Sequence, residues 1–305
     1  MDGARATDVI FSRPVSIPLV LGPLRRGRFD PSLRIGRDQV WRATCTPAGP
    51  ATIHVQPTAA PTRLRARAWG PGAGWALEHL PALLGALDDD SDFVAHHRVV
   101  ADLHRRLPDL RIGRSDAVLE ALVPTILEQK VQGITARRSY GALVRALGTP
   151  APGPAPPGLL LPPTPAAWAT APSWTYHRAG VERKRADTIR RAATVAARLE
   201  ACTTLPADEV RRRLMALPGV GPWTAAEVAL VALGDADAVS VGDFHLPHQV
   251  AYALAGEPRA DDARMLELLE PYRGHRGRVI RLLGCSGIQA PRRGPRLPLQ
   301  DIARI

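Results

Sequence analysis

Two periodicities divide the chain. Up to about residue 88 the apolar positions tend to alternate. Gln39–Thr46 and Ala51–Gln56 are rich in β-branched residues and flank a turn at Pro47–Gly49–Pro50, as a hairpin would, and Thr62–Trp69 alternates up to the Gly70–Pro71–Gly72 break. Trp75–Leu87 then takes helical spacing, with Leu77, Leu80, Leu83, Leu84 and Leu87 available for one face, although Pro81 disturbs its first turns. Residues 1–88 therefore predict a small α/β domain of strands backed by helix. The acidic knot Asp88–Asp89–Asp90 marks its boundary.

From Phe93 onward the spacing is almost wholly helical. Helices are expected over Phe93–Arg106, Asp116–Gln129, Gly133–Leu147, Lys184–Leu199, Ala207–Ala216, Trp223–Leu233, Leu246–Leu254, Asp261–Leu269 and His275–Leu283. The Pro-rich stretch Thr149–Pro165 interrupts them and reads as a linker-like insert. Residues 289–305, with Arg292, Arg293 and Arg296 among prolines, read as a frayed basic tail. The fold class is mainly α with a smaller N-terminal α/β domain, the helical domain running over 89–288. No internal repeat is visible.

Composition narrows the partners. At 305 residues the chain is long enough for two domains with a buried core, and its scarcity of aromatics points to packing by Ala, Leu and Val. A formal charge of +11 favours a polyanion, because every phosphate neutralised releases condensed counterions. Nearly all of that charge is Arg, as a GC-rich genome would also encode; the lysines are Lys130 and Lys184 alone. Cys45, Cys202 and Cys285 lie far apart, in odd number and without metal-ligand spacing, so a reduced cytoplasmic protein is expected. The apolar run Val15–Leu24 is too short and too broken for an export signal or a membrane span.

The most informative segment is Leu217-Pro218-Gly219-Val220-Gly221-Pro222-Trp223-Thr224-Ala225. A helix rich in Arg211, Arg212 and Arg213 runs into a tight turn, and Pro222 sits where the first position of a new helix tolerates it. Glycines let a backbone turn through positive φ and approach a ligand without a Cβ in the way. Such a turn leaves amide N–H groups unpaired at a helix N-terminus, where the dipole attracts an anion. A DNA phosphate is the natural guest, held through Leu217, Gly219, Val220, Gly221 and Thr224, with no base read. A Gly-rich turn is also ordinary punctuation between helices.

This hairpin, the segment Val239–Ser240–Val241–Gly242–Asp243 and the helix Leu246–Leu254 together resemble the helix-hairpin-helix (HhH-GPD) DNA glycosylase superfamily, and within it the 3-methyladenine DNA glycosylase II (AlkA-like) branch. The resemblance covers roughly Asp116–Leu283. Val123–Gln129 is similar to the family's helix facing the DNA minor groove, and Gly180 followed by Lys184–Ala192 resembles its Gly-x-x-x-x-Lys-Ala helix start. The resemblance implies two helical subdomains around a cleft, and double-stranded DNA with a damaged base as partner. It also implies monomeric, nucleoid-associated action in base excision repair. No cofactor or iron–sulfur cluster is expected, the latter needing four closely spaced cysteines. The one ion it leaves room for is a structural monovalent cation at the hairpin.

Asp243 lies about twenty residues past the hairpin and just before a helix that Pro247 helps to start. Position alone reads equally as an N-cap aspartate. The resemblance makes it the catalytic carboxylate, stabilising positive charge on the deoxyribose as the base departs and orienting or deprotonating water. Trp223 falls where the branch has a pocket tryptophan, selecting a flipped alkylpurine by stacking and cation–π attraction, though a core role suits it as well. Relatives that cleave the backbone carry lysine there, so a monofunctional enzyme without lyase activity is expected. Departures from the pattern are Glu227, in place of an aromatic pocket residue, and Arg281, where an aromatic wall belongs. Glu227 is read either as a pocket carboxylate or as a solvated helix residue. His245 is read as structural, exposed or in touch with the flipped nucleotide, and His248 as structural or exposed. Gln129 and Lys130 are the candidates for the wedge that fills the vacated stack, Lys130 otherwise binding phosphate. Two rival readings stand beside the alkylpurine enzyme: a non-catalytic DNA-binding protein, and a glycosylase for other lesions such as uracil or bulky alkyl adducts.

Overall fold

The computed structural model describes residues 3–36 and 39–291. The basic stretch with Arg292, Arg293 and Arg296 lies outside the described residues. The chain opens with β1 (Arg5–Ile10), α1 (Ile17–Leu21), β2 (Leu33–Ile35), β3 (Val40–Thr46), β4 (Gly49–Pro57), β5 (Arg63–Trp69), α2 (Ala73–Glu78) and α3 (Leu80–Leu83). The five strands form one antiparallel sheet in the order β1-β5-β4-β3-β2. Alternation in β5 buries Leu64, Ala66 and Ala68 and turns Arg63, Arg65 and Arg67 outward, the pattern of a strand wetted on one face. The buried face packs on α1, α2 and α3 through Val20, Leu21, Ala76, Leu80 and Leu83.

Expectation and structure part company here in instructive places. The predicted helix Trp75–Leu87 is two short helices broken at His79, with Pro81 opening the second, and Leu87 is 69% exposed rather than on the apolar face. β1 and β2 carry too little alternation to announce themselves and exist through pairing with β5 and β3. The acidic knot is a clasp between distant parts of the chain. Asp88 accepts from both Arg278 nitrogens at 2.7 and 2.9 Å, with the two side chains only 2% and 1% exposed, and it also accepts from the Ile112 amide. Asp90 pairs with Arg13 at 2.6 Å.

The remainder is helical: α4 (Arg98–Arg106), α5 (Val118–Glu128), α6 (Gly133–Leu147), α7 (Pro165–Thr170), α8 (Ser173–Arg178), α9 (Arg183–Thr194), α10 (Ala196–Glu200), α11 (Ala207–Met215), α12 (Pro222–Val228), α13 (Leu246–Ala255), α14 (Asp262–Leu269) and α15 (Arg276–Ser286). The helix predicted from Phe93 starts five residues late, because the His97 backbone N–H and imidazole are bound to the Tyr272 hydroxyl. The helix predicted over Lys184–Leu199 breaks at Val195. The Pro-rich stretch is no mere linker: β6 (Thr149–Pro150) pairs with β7 (Leu160–Leu161), and Leu159 and Leu161 bury Ala43 of the sheet. Gly153, at φ +77°, lets this insert lie flat on Trp69, where a Cβ would come within 2.3 Å of the ring.

Two helical cores result. One gathers α5, α6 and α9 around Leu122, Ile126, Leu143 and Ile189; the other gathers α4, α13, α14 and α15 around Val100, Val250, Met265 and Leu282. The first is joined to the second by a π-helical turn, Ala229–Leu233, that prolongs α12. Widening a helix frees carbonyls, and here those of Val231 and Ala232 accept from the amides of Ser115 and Asp116. Helix α5 is held at both poles by charges that match its dipole. Glu200 accepts from the Val118 and Leu119 amides at 2.8 and 2.9 Å, and the buried Arg185 donates to the Leu127 carbonyl at 2.8 Å. Among the described residues no helix is long and apolar enough to cross a membrane.

Candidate functional site

The hairpin joins α11 to α12. Gly219 turns through φ +97° directly against α9, where a Cβ would lie 2.3 Å from the Thr188 hydroxyl. Gly221 is different: its backbone is extended, and a Cβ there would meet nothing within 4 Å. The fold therefore demands glycine at 219 but leaves 221 to whatever approaches from outside. Val220 and Thr224 are buried, the Val220 amide donates to the Leu217 carbonyl, and Leu217 is half-buried. The arginines that precede the turn have partners within the chain: Arg211 binds Asp235, and Arg212 and Arg213 bind Glu209.

Gln129, a candidate wedge, is tied down in this structure. Its amide donates to the Gly219 carbonyl and to the Thr224 hydroxyl, both at 2.9 Å, bracing the hairpin from the end of α5. Lys130 follows, exposed and at φ +54°, at the tip between α5 and α6. On the neighbouring residue Glu128 rests Arg26, 3.8 Å away and contributed by the N-terminal domain. The cation that α9 buries is Arg185, immediately before Ala186. Lys184, which opens the stretch resembling the Gly-x-x-x-x-Lys-Ala helix start, is exposed.

The loop carrying Asp243 runs through Gly242, which at φ +90° reverses the chain while its amide donates to Asp262. Asp243 then folds back on the start of α13. Its Oδ1 accepts from the His245 and Leu246 amides at 2.7 and 2.8 Å, and its Oδ2 accepts from the Trp223 indole Nε1–H at 3.1 Å. Capping and a second role are thus combined in one residue: one oxygen holds the helix, the other faces α12. His245 reaches Asp243 through its backbone alone. Its ring is exposed and packs edge-on to Phe244, itself 78% exposed. The His248 ring accepts from the Ala260 amide and serves the fold.

Glu227, one turn beyond Trp223, is not a solvated helix residue. It is half-buried and accepts from the Ser240 hydroxyl. Burial pushes its carboxyl up, the Ser240 bond and Arg26 opposing that shift and Glu128 and Asp243 adding to it. Arg281 on α15 is half-buried; it donates to the Leu19 carbonyl, and its guanidinium is pushed down by desolvation. Trp223, Glu227 and Asp243 thus meet beside Ser240, with Arg26 and Arg281 close enough to act on Glu227. Sequence reasoning missed Ser240 and Arg26, the latter two hundred residues away along the chain. A cavity of about 320 Å³ opens elsewhere, lined by Val20, Leu24, Arg111, Ser115, Leu230 and Arg281, and none of Asp243, Trp223 or Glu227 lines it. Among the described residues no group of three or more His, Cys, Asp or Glu is placed to hold a metal ion.

No family model matches the chain. A probable bifunctional transcriptional activator/DNA repair enzyme AlkA from Mycobacterium tuberculosis is 35% identical over 169 residues, which are 54% of this chain and 32% of that protein. The chain thus matches about a third of the length of that curated relative. The 3-methyladenine DNA-glycosylase from Archaeoglobus fulgidus superposes with a TM-score of 0.75 over 91% of this chain and 97% of its own, at 18% identity. The chain is thus similar in sequence to a DNA repair enzyme over about half of its own length, and it shares the fold of a 3-methyladenine DNA-glycosylase. Its fold is also that of the Clostridium acetobutylicum 8-oxoguanine glycosylase/lyase solved with double-stranded DNA, at TM-score 0.70 and 12% identity over 93% of this chain and 96% of its own. That the likeness extends through the N-terminal sheet agrees with the expected class, mainly helical with a smaller α/β part.

Proposed function

We propose that this chain is a monofunctional DNA glycosylase that hydrolyses the N-glycosidic bond of alkylated purines, of the 3-methyladenine type, in base excision repair. One observation carries the reading: a carboxylate on the loop after a glycine hairpin, its oxygens fixed by two amides at a helix start and an indole N–H. The hairpin grips a backbone phosphate through Gly219, Gly221 and the first amides of α12. Lys130, at the tip beyond α5, enters the space the extruded base leaves. As the base departs, positive charge grows on the sugar, and the fixed Asp243 anion stabilises it without having to reorganise. The same carboxylate orients the incoming water.

Trp223 occupies the position where a lyase would carry lysine, and Lys184 stands exposed on α9, so release of the base without strand cleavage follows. At the hairpin the Leu217 carbonyl accepts from the Val220 amide, Pro218 from Arg191 and Gly219 from Gln129, and each keeps a second lone pair that a monovalent cation could use. Protein donors brace the turn, and no step is assigned to an ion. The acting species is a monomer on damaged duplex DNA, and in a cell it would sit with the nucleoid.

A second reading, a glycosylase for a polar lesion, is favoured by the paired Glu227 and Ser240 where an aromatic wall was expected. The test is a set of duplex oligonucleotides with defined lesions, treated with the purified chain and then with alkali. Alkali-dependent breaks at alkylpurines, lost in Asp243→Asn while DNA binding persists, are expected. Breaks without alkali that borohydride traps would overturn the monofunctional assignment, and no release from any lesion would leave a DNA-binding protein.

A further inference from the structure

We propose that Trp223 is a positioning residue for base release, acting through its indole N–H on Oδ2 of Asp243 rather than through its ring face on the base. The proposal rests on Asp243 being the catalytic carboxylate. Oδ1 is held by the two amides at the start of α13. Those bonds come from one element and one side, and the terminal torsion of an aspartate is broad. The donor to Oδ2 comes from a different helix, at 3.1 Å, and removes that freedom.

The origin of this donor matters as much as its presence. Trp223 is the second residue of α12, directly after Gly221 and Pro222. Pro222 fixes φ at the helix start. The turn that receives a phosphate therefore also carries the group that orients the carboxylate, with one rigid residue between them. Tryptophan joins a donor to a long and stiff reach, with two side-chain torsions to fix. Phenylalanine cannot donate, and lysine would bring its own charge and nucleophile. With the indole edge committed to Asp243, selection of the base falls to Glu227, Ser240 and their neighbours.

Two replacements separate the N–H from the ring: Trp223→Phe, and β-(3-benzothienyl)alanine at 223, which keeps the bicycle and exchanges N–H for sulfur. Single-turnover base release from dimethyl-sulfate-methylated duplex DNA should fall about 10- to 100-fold in both, the scale of losing an outer partner that orients a working group. Affinity for the same duplex should stay within about twofold, because a positioning bond is spent in the transition state. A benzothienyl variant that releases base at the wild-type rate overturns the proposal, as does a loss of affinity equal to the loss of rate. Asp243→Asn keeps the two claims apart. If it still releases base, the catalytic reading fails; if it is inert while the benzothienyl variant is unaffected, only the positioning role fails.

Discussion

The side-chain amide of Gln129 donates to the backbone carbonyl of Gly219 at 2.9 Å, joining the end of α5 to the turn between α11 and α12. Ninety residues of chain separate the two. A second bond from the same amide reaches the Thr224 hydroxyl, which is buried and has few other places to find a donor. Gln129 is thereby a strut of the hairpin in the free protein, and the tip beyond it belongs to Lys130. Gln129→Ala should cost about 1–2 kcal/mol of stability, read by denaturant unfolding, because it strands a buried hydroxyl. Affinity for DNA should fall with it. Lys130→Ala should leave stability unchanged and reduce the slope of log affinity against log salt by about one.

The two hairpin glycines should separate cleanly. Gly219→Ala forces a Cβ against Thr188 at positive φ, a cost of about 1–3 kcal/mol that thermal melting will register. Gly221→Ala meets open space and should cost less than about 1 kcal/mol. Its effect should appear instead in binding, with affinity for any duplex reduced whatever its sequence. Equal affinity in Gly221→Ala and the parent would remove the hairpin's assigned role.

Asp88→Asn should be among the most damaging single changes far from the site. It leaves the Arg278 guanidinium buried without its counter-charge, a loss of about 3–5 kcal/mol. Urea unfolding should show it as a lower midpoint with an unaltered slope.

Glu227 provides the pH test. Burial holds its folded-state carboxyl above the ordinary glutamate range, so the folded chain keeps a proton that the unfolded chain gives up. The stability this confers is full below the ordinary glutamate value and is lost as pH rises through the raised one. Glu227→Gln, neutral throughout, should therefore gain melting temperature relative to the parent as pH rises above the ordinary glutamate value. A difference that does not change with pH would show that the carboxyl is not held up.

What the sequence makes legible follows from how local each signal is. The Leu217–Thr224 run and Gly242–Asp243 are written in consecutive residues, so the hairpin and the carboxylate loop can be read directly, and with them the resemblance to the glycosylase fold. The surroundings of Glu227 cannot: Ser240 comes from the next loop and Arg26 from the N-terminal domain, and only folding puts them there. The same holds for Asp88, whose meaning depends on Arg278 at the far end of the chain. Composition misleads at Thr149–Pro165, where prolines cap a small ladder that the face of β3 completes. Helical spacing misleads at Phe93, because a tyrosine hydroxyl outcompetes the first turn.

The widened turn at Ala229–Leu233 makes chain length itself a constraint. Each residue in a helix advances the chain by roughly 100° about the axis. Removing one between Glu227 and Ser240 would restore ordinary pitch and swing everything downstream around by that angle, parting Asp243 from Trp223 and Ser240 from Glu227. Spacing in this stretch is counted, not elastic, and a one-residue gap there would be harder to tolerate than most exchanges of side chain.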